Sequence, residues 1–145
     1  MKAYTKNGAV KVAIISPKGE VLFIKNPNRP DPKNALPGGS IEDGETLKQA
    51  AVREIRDETG IILTEDEIEL VHEEQTGKPY CPHLCKAEIS QERFDRYDRV
   101  GDENGDTLLV EPIRLIEACE RSDMLWTYQP FIRELATAFY TSKAS

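Results

Sequence analysis

The stretch that decides the fold reads GGSIEDGETLKQAAVREIRDETGI and runs from Gly38 to Ile61. Its central part, Thr46–Thr59, contains neither Gly nor Pro and consists mostly of good helix formers, so it predicts a helix. Gly60 follows directly, at the position where a glycine commonly caps a helix. At the other end, Gly38 and Gly39 lack side chains, which lets the backbone approach a ligand closely. The stretch therefore combines a ligand-approaching turn with a helix that begins a few residues later.

Three carboxylates on one face of this helix indicate either a metal site or a solvated surface. At about 100° per residue, Glu54, Asp57 and Glu58 fall within an arc of about 100°. Carboxylates this close repel one another, and a bound divalent cation removes that repulsion. Magnesium prefers carboxylate oxygens and completes its shell with substrate phosphates, which indicates phosphoryl-group chemistry. The alternative is an acidic helix face in solvent, paired with Arg53 and Arg56.

The stretch resembles the Nudix box. In that family pattern, a Gly is followed after five residues by Glu, and after seven more by Arg-Glu-aliphatic-X-Glu-Glu-X-Gly-aliphatic. Gly39 and Glu45 have this spacing, and the second half is matched by Arg53, Glu54, Ile55, Glu58, Gly60 and Ile61. Asp57 is the one departure, since the family usually has Glu there, and Asp keeps the charge with one methylene fewer. Leu36-Pro37-Gly38-Gly39 also looks like the usual lead-in.

This resemblance implies a fold and an activity. The fold is an α/β/α sandwich with a mixed sheet, and we expect one domain over residues 1–145. The activity is hydrolysis of the diphosphate linkage in a nucleoside diphosphate derivative, namely a nucleoside triphosphate, a nucleotide sugar such as ADP-ribose, or a dinucleoside polyphosphate. The alternative is a binding module that kept the nucleotide site and lost catalysis, and Asp57 is the residue that favours it.

The resemblance also implies a role for each matching residue. Glu54, Asp57 and Glu58 would bind Mg²⁺ or Mn²⁺, Arg53 would orient them, and Glu45 would support the loop. Metal ions at such a site neutralise phosphate charge and lower the pKa of a bound water. Positioning and electrostatics then supply most of the catalysis. The catalytic candidates within the box are therefore Arg53, Glu54 and Glu58.

A general base is expected from a charged loop outside the box. Members of the family often supply a further acid from such a loop, as a metal ligand or as the base. Glu103, which lies between Gly101 and Gly105, is our candidate, with Asp106 and Glu111 as alternatives. The other interpretation is a solvated loop with no catalytic role.

The composition restricts the partners. The 145 residues carry a formal charge of −7, which argues against a broad nucleic-acid surface because such surfaces are basic. A small phosphate ligand remains compatible, since metal ions reverse the local sign of charge. No apolar run is long enough to cross a membrane, and Met1–Thr5 leads into no secretory apolar segment. Three cysteines form no disulfide framework, so we expect a cytoplasmic protein that acts on a small nucleotide, as a monomer or a homodimer.

The remaining pattern predicts strands and helices around the box. Two runs of branched residues, 10–15 and 21–24, predict a hairpin, and four prolines make 26–37 a loop. The segment 93–106 indicates a charged surface loop. Further strands are expected at 68–71, at 80–89 and at 107–110, which Glu111-Pro112 would close, and helices are expected at 113–120 and 130–140. The last helix has an apolar stripe formed by Phe131, Leu135, Ala138 and Phe139.

Two further groups of side chains allow both functional and structural interpretations. Cys81, His83 and Cys85 alternate along one predicted strand and so share a face. A zinc site would normally have a second ligand pair, so packing of the cysteines is favoured, while a substrate contact by His83 stays open. An aromatic cluster near the last helix is expected to pack rather than to stack on a nucleobase, and it comprises Trp126, Tyr128 and Phe131.

Overall fold

The structure, a computed structural model, describes residues 7–73, 82–98 and 107–144. Within these ranges a mixed sheet carries helices on both faces, which confirms the expected α/β/α sandwich. The strands are β1 Ala9–Ile15, β2 Glu20–Lys25, β3 Gly38–Ser40, β4 Glu69–His72, β5 His83–Glu88 and β6 Leu109–Arg114. The helices are α1 Leu47–Thr59, α2 Gln91–Phe94, α3 Leu115–Ala118 and α4 Gln129–Ala144. None of the helices in the described ranges has both the length and the apolarity needed to cross a membrane.

The sheet places the glycine turn beside β1. The strand order is β4-β5-β1-β2-β6, with β1 and β5 parallel and the other neighbouring pairs antiparallel. The strand β3 pairs with the first half of β1, with Lys11 opposite Gly38. The hairpin predicted at 10–15 and 21–24 is confirmed, because β2 follows β1 through a tight turn with Ile15 opposite Val21. As a result, β1 contacts the box strand on one edge and β5 on the other.

Alternation along β1 separates two apolar cores. Val10, Val12 and Ile14 are buried in the cluster that contains the apolar face of α1. Ala13 and Ile15 are buried in the second cluster, which contains the apolar face of α4. Successive side chains of a strand point to opposite faces of its sheet, so one short strand contributes to both layers.

The helix α1 begins and ends where the sequence predicts. The hydroxyl of Thr46 accepts a hydrogen bond from the N–H of Gln49, and the side chain of Gln49 accepts one from the N–H of Thr46, which is a capping box. At the C-terminus, the N–H of Gly60 donates to the carbonyl of Arg56 at 3.0 Å. These caps fix the rotation and length of α1, whose buried residues are Ala50, Ala51, Ile55 and Thr59.

The last sheet strand differs from the expectation that Glu111-Pro112 would close it. The strand β6 passes through Pro112, which lies opposite Leu22 of β2, and continues to Arg114. It is an edge strand in the described sheet, where a proline removes no ladder hydrogen bond from a second neighbour. The following helix α3 is accordingly shorter than the predicted 113–120.

Two other predictions are corrected. The expected surface loop at 93–106 begins inside α2, whose last residue Phe94 is fully buried, and residues 99–106 lie outside the described ranges. In α4, Ala138 is exposed, whereas Ile132 and Ala136 are buried. The apolar face of α4 is therefore rotated relative to the predicted stripe, because both α3 and the sheet pack against it.

An ion pair fastens α2 to the turn before β4. The guanidinium of Arg93 donates to both carboxylate oxygens of Glu67, and also to the carbonyl of Ile62 at 2.8 Å. The hydrogen bonds that Glu67 accepts, chiefly from Arg93 and also from Thr64, lower its pKa from 4.5 to about 2. Because the folded-state pKa is depressed, the pair stabilises the fold fully above pH 4.5 and loses its effect as the pH falls towards 2.

We expect Glu67→Gln to lower the free energy of unfolding by about 1–2 kcal/mol near neutral pH. The difference from wild type should shrink as the pH falls below 4.5, since Glu67 is then increasingly protonated in the unfolded state. Urea unfolding in a series of buffers measures this difference, with the exposed neighbour Glu65→Gln as the control. A loss that is independent of pH would show that the charge of Glu67 is not what stabilises the contact.

Candidate active site

The box strand β3 lies directly against the carboxylates of α1. A Cβ atom on Gly39 would sit 2.7 Å from Oε1 and 2.8 Å from Oε2 of Glu54, so the carboxylate fills the space that a side chain would need. Gly38 has a φ of +148°, and a Cβ there would lie 2.0 Å from the carbonyl oxygen of Val10. Gly38 therefore permits the pairing with β1, and Gly39 leaves room for Glu54.

Arg53 connects the turn to the helix through all three of its nitrogens. Nε donates to Oε2 of Glu45 at 2.6 Å, and Nη2 donates to Oε1 of Glu45 at 2.9 Å and to the carbonyl of Ser40 at 3.0 Å. Nη1 donates to Oε1 of Glu54 at 2.8 Å. Fork-like contacts of this kind fix geometry as well as supplying energy. The hydrogen bond from Arg53 also lowers the pKa of Glu45, and Glu45 in turn raises the pKa of Arg53.

Glu58 holds the other side of the strand. Its Oε1 accepts a hydrogen bond from the N–H of Gly38 at 2.6 Å. Burial raises the pKa of the phenol of Tyr128, which directly precedes α4, and the charge of Glu58 adds to this effect.

Asp57 lies apart from these contacts. Its Oδ1 accepts a hydrogen bond from Nε of Arg56 at 3.3 Å, and 53% of each of these two side chains is exposed. The structure thus brings Glu54 and Glu58 to β3 and places Asp57 on the solvent side of α1. A helical arc of about 100° includes all three acids, but only the packing against β3 distinguishes them.

The two carboxylates at β3 fit a magnesium or manganese ion that is shared with substrate. Mg²⁺ is commonly held by one or two carboxylates plus substrate phosphates and waters, rather than by a cage of protein ligands. In the described ranges no group of three or more His, Cys, Asp or Glu side chains forms such a cage. Glu54 and Glu58 supply hard oxygen donors next to a backbone without side chains, which is the donor set that such an ion needs.

The candidates outside the box have different placements. Glu103 and Asp106 lie outside the described residues. The remaining alternative base, Glu111, accepts a hydrogen bond from Nη1 of Arg121 at 3.1 Å. Cys81 is not described, and Cys85 is a fully buried free thiol whose pKa burial raises to about 11. Tyr128 and Phe131 are buried in the α4 core, in keeping with the packing interpretation.

Comparison with known proteins shows the family of the chain. Residues 5–126 match the profile of the NUDIX domain. The chain belongs to the Nudix family. The resemblance to the Nudix family is thereby confirmed, and the matched range includes the whole of the box.

Individual Nudix relatives differ in how much of the chain they match. A protein of Methanocaldococcus jannaschii named ADP-ribose pyrophosphatase is 50% identical over 50 residues, which are 34% of this chain and 30% of that protein. The match therefore spans less than a third of that relative. The structure of the MutT protein from Methanosarcina mazei Go1 has a TM-score of 0.68 at 20% identity, covering 90% of this chain and 92% of that one. A C. elegans Ap4A hydrolase has a TM-score of 0.65 at 22% identity, covering 92% and 97%. These two structures show that the fold is shared.

Two polar contacts with the box strand were not found from the sequence. The Nζ of Lys11 donates to the carbonyl of Gly38 at 3.4 Å, and the carbonyl of Ser40 accepts a hydrogen bond from Arg53. Lys11 is distant from the box in sequence and reaches it through the pairing of β1 with β3. The box motif contains no signal for this lysine.

Proposed function

We propose that this Nudix protein hydrolyses the diphosphate linkage of a nucleoside diphosphate derivative, with Mg²⁺ or Mn²⁺ as cofactor. The observation that carries the proposal is the contact set of Arg53, which holds Glu45 and Glu54 at 2.6–2.9 Å beside the glycine strand. A carboxylate held this closely by a guanidinium is fixed before a substrate arrives. Such preorganisation is usually the largest contribution to electrostatic catalysis.

Each residue of the box has a defined task in this proposal. Arg53 orients Glu54, Glu45 holds Arg53 and the turn, and Glu58 braces the backbone of Gly38 while offering its second oxygen to the site. A divalent ion held by Glu54 and Glu58 would neutralise phosphate charge and lower the pKa of an attacking water. Asp57 remains a proposed additional ligand, acting through water or after a change of rotamer.

The substrate class is proposed from the family and from one relative. The stretch that is 50% identical to the M. jannaschii ADP-ribose pyrophosphatase supports ADP-ribose or another nucleotide sugar as the first compound to test. Nucleoside triphosphates and dinucleoside polyphosphates follow. We further propose Glu103 as general base, and a reducing, cytoplasmic location, which the free thiols of Cys85 and Cys119 support.

The test is turnover of a nucleotide panel with and without free metal. The panel comprises ADP-ribose, UDP-glucose, the common nucleoside triphosphates and diadenosine tetraphosphate, with products separated by chromatography. We expect at least one compound to be cleaved into two phosphorylated products in Mg²⁺ or Mn²⁺. Excess EDTA should abolish the reaction, and added Mg²⁺ should restore it.

Two results would contradict the proposal. Full turnover in excess chelator would remove the metal from the mechanism. Saturable binding of panel compounds, measured by calorimetry, with no cleavage of any of them would instead support the alternative, a nucleotide-binding module on the same fold.

A further inference from the structure

We propose that Lys11 of β1 binds a phosphate group of the ligand, so that recognition of the anion extends beyond the Nudix box. This inference rests on the proposed function, because it concerns the same site. It assigns the ligand class, a phosphate or diphosphate group, to a residue that precedes the box in the chain.

The first argument is the position of the ammonium. Lys11 lies directly opposite Gly38 in the pairing of β1 with β3, and its Nζ is 3.4 Å from the carbonyl oxygen of Gly38. The N–H of the same glycine binds Glu58 at 2.6 Å. The ammonium and the carboxylate are thus attached to the two polar groups of one backbone residue, and an ion or phosphate near Glu58 lies within reach of a lysine side chain.

The second argument is the face on which Lys11 lies. Val10 and Val12 are buried against α1, so the alternation of the strand places Lys11 on the other face, with Ala13 and Ile15. That face is covered by Tyr128 and by the apolar side of α4, which belong to the second apolar cluster. The half-buried Lys11 side chain therefore lies outside the apolar core of α1, and its ammonium reaches β3 at the carbonyl of Gly38.

The third argument is the distribution of charge around β3. Arg53 contacts this strand at the carbonyl of Ser40, and Lys11 contacts it at the carbonyl of Gly38. Every side-chain nitrogen of Arg53 already donates to Glu45, Glu54 or Ser40. Arg53 therefore positions groups of the protein rather than binding the ligand. An ammonium is a compact point charge on a flexible stem and commonly binds phosphate. Lys11 can supply positive charge to an anionic ligand approaching an acidic site.

The test compares Lys11→Met with Lys86→Met. Lys86 is also a half-buried strand lysine, it lies opposite Ala13 in the pairing of β5 with β1, and it pairs with Glu69 at 3.8 Å. We expect Lys11→Met to raise KM at least tenfold with a smaller change in kcat, because the lost contact binds ground state and transition state alike. Lys86→Met should leave both constants close to wild type, and Lys11→Arg should recover most of the affinity.

A binding measurement separates this inference from the proposed function. Calorimetry with ADP, adenosine and inorganic pyrophosphate reports on phosphate recognition whether or not the protein has turnover. We expect Lys11→Met to weaken the binding of ADP and of pyrophosphate and to leave the affinity for adenosine unchanged. If the wild-type protein binds ADP through Lys11 but cleaves nothing, the proposed function fails and the inference survives.

Other outcomes overturn the inference. Unchanged KM and unchanged ADP affinity in Lys11→Met would do so directly. A fall in kcat at constant KM would show that Lys11 positions β3 rather than binding ligand. If Lys11→Met does not fold, Lys11→Gln is measured in the same way, and failure of both variants to fold would assign Lys11 to the pairing of β1 with β3.

Discussion

Replacing Glu58 by Gln is expected to lower kcat by about 10²–10³-fold, the scale found when one charge-stabilising contact is removed from an active site. The amide keeps an oxygen that can accept the hydrogen bond from Gly38, which is 2.6 Å long in the structure. The substitution removes the negative charge that would bind a divalent ion. The fold should therefore persist, with a Tm equal to or slightly above that of wild type, because one source of repulsion among the acids of α1 is lost.

The measurement is a titration of activity with Mg²⁺ for Glu58→Gln, with Asp57→Asn as the matched variant. Asp57 is the neighbouring acid of the same helix and is paired with Arg56 in solvent, so we expect its substitution to cost much less. A Glu58→Gln enzyme that reaches the wild-type rate at saturating Mg²⁺ would contradict the proposal that Glu58 is a metal ligand. An equal loss for both variants would place Asp57 in the metal shell.

The substitution Gly39→Ala, which adds a single methyl group, is expected to lower the activity about 10²-fold. A displacement of about 1 Å in a reacting group has an effect of that size. The new Cβ would lie 2.7 Å from the carboxylate of Glu54, which must move because the backbone of β3 is held by its pairing with β1. The flexible end of a glutamate can shift at little energetic cost. Stability should therefore change much less than activity.

Assays of Gly39→Ala combine kcat, KM and thermal unfolding, with Ser40→Ala as the control in the same strand. The control shortens a side chain and leaves the carbonyl that Arg53 binds in place. Wild-type activity in Gly39→Ala would mean that Glu54 can be displaced without consequence, which would contradict its role as a ligand. A large fall in Tm would instead indicate that the strand pairing had failed.

The helix of the box could be predicted from sequence because its signals are local. Thr46 and Gly60 mark its ends through hydrogen bonds to residues within one turn. The hairpin of β1 and β2 is a local signal of the same kind. The resemblance to the Nudix family then predicts the α/β/α sandwich and the roles of the box residues. Neither follows from the periodicity of the chain.

The parts that could not be predicted depend on contacts between distant segments. Asp57 and Glu58 are adjacent acids in one motif. Only the docking of β3 against α1 places Glu58 at the strand and leaves Asp57 in solvent. In the sequence, Pro112 predicts the end of a strand. The strand continues through this proline because β6 lies at an edge of the described sheet. Lys11 has the properties of any strand lysine until β1 pairs with Gly38.

The two-sided pairing of β1 has a consequence for the order of folding. Its hairpin with β2 closes a short loop, whereas its parallel pairing with β5 closes a loop that contains the whole of α1. Loop closure costs more entropy as the loop lengthens, and long-range pairings of this kind form slowly. We therefore expect the hairpin and α1 to form first and β5 to dock last, completing the sheet against which α4 packs.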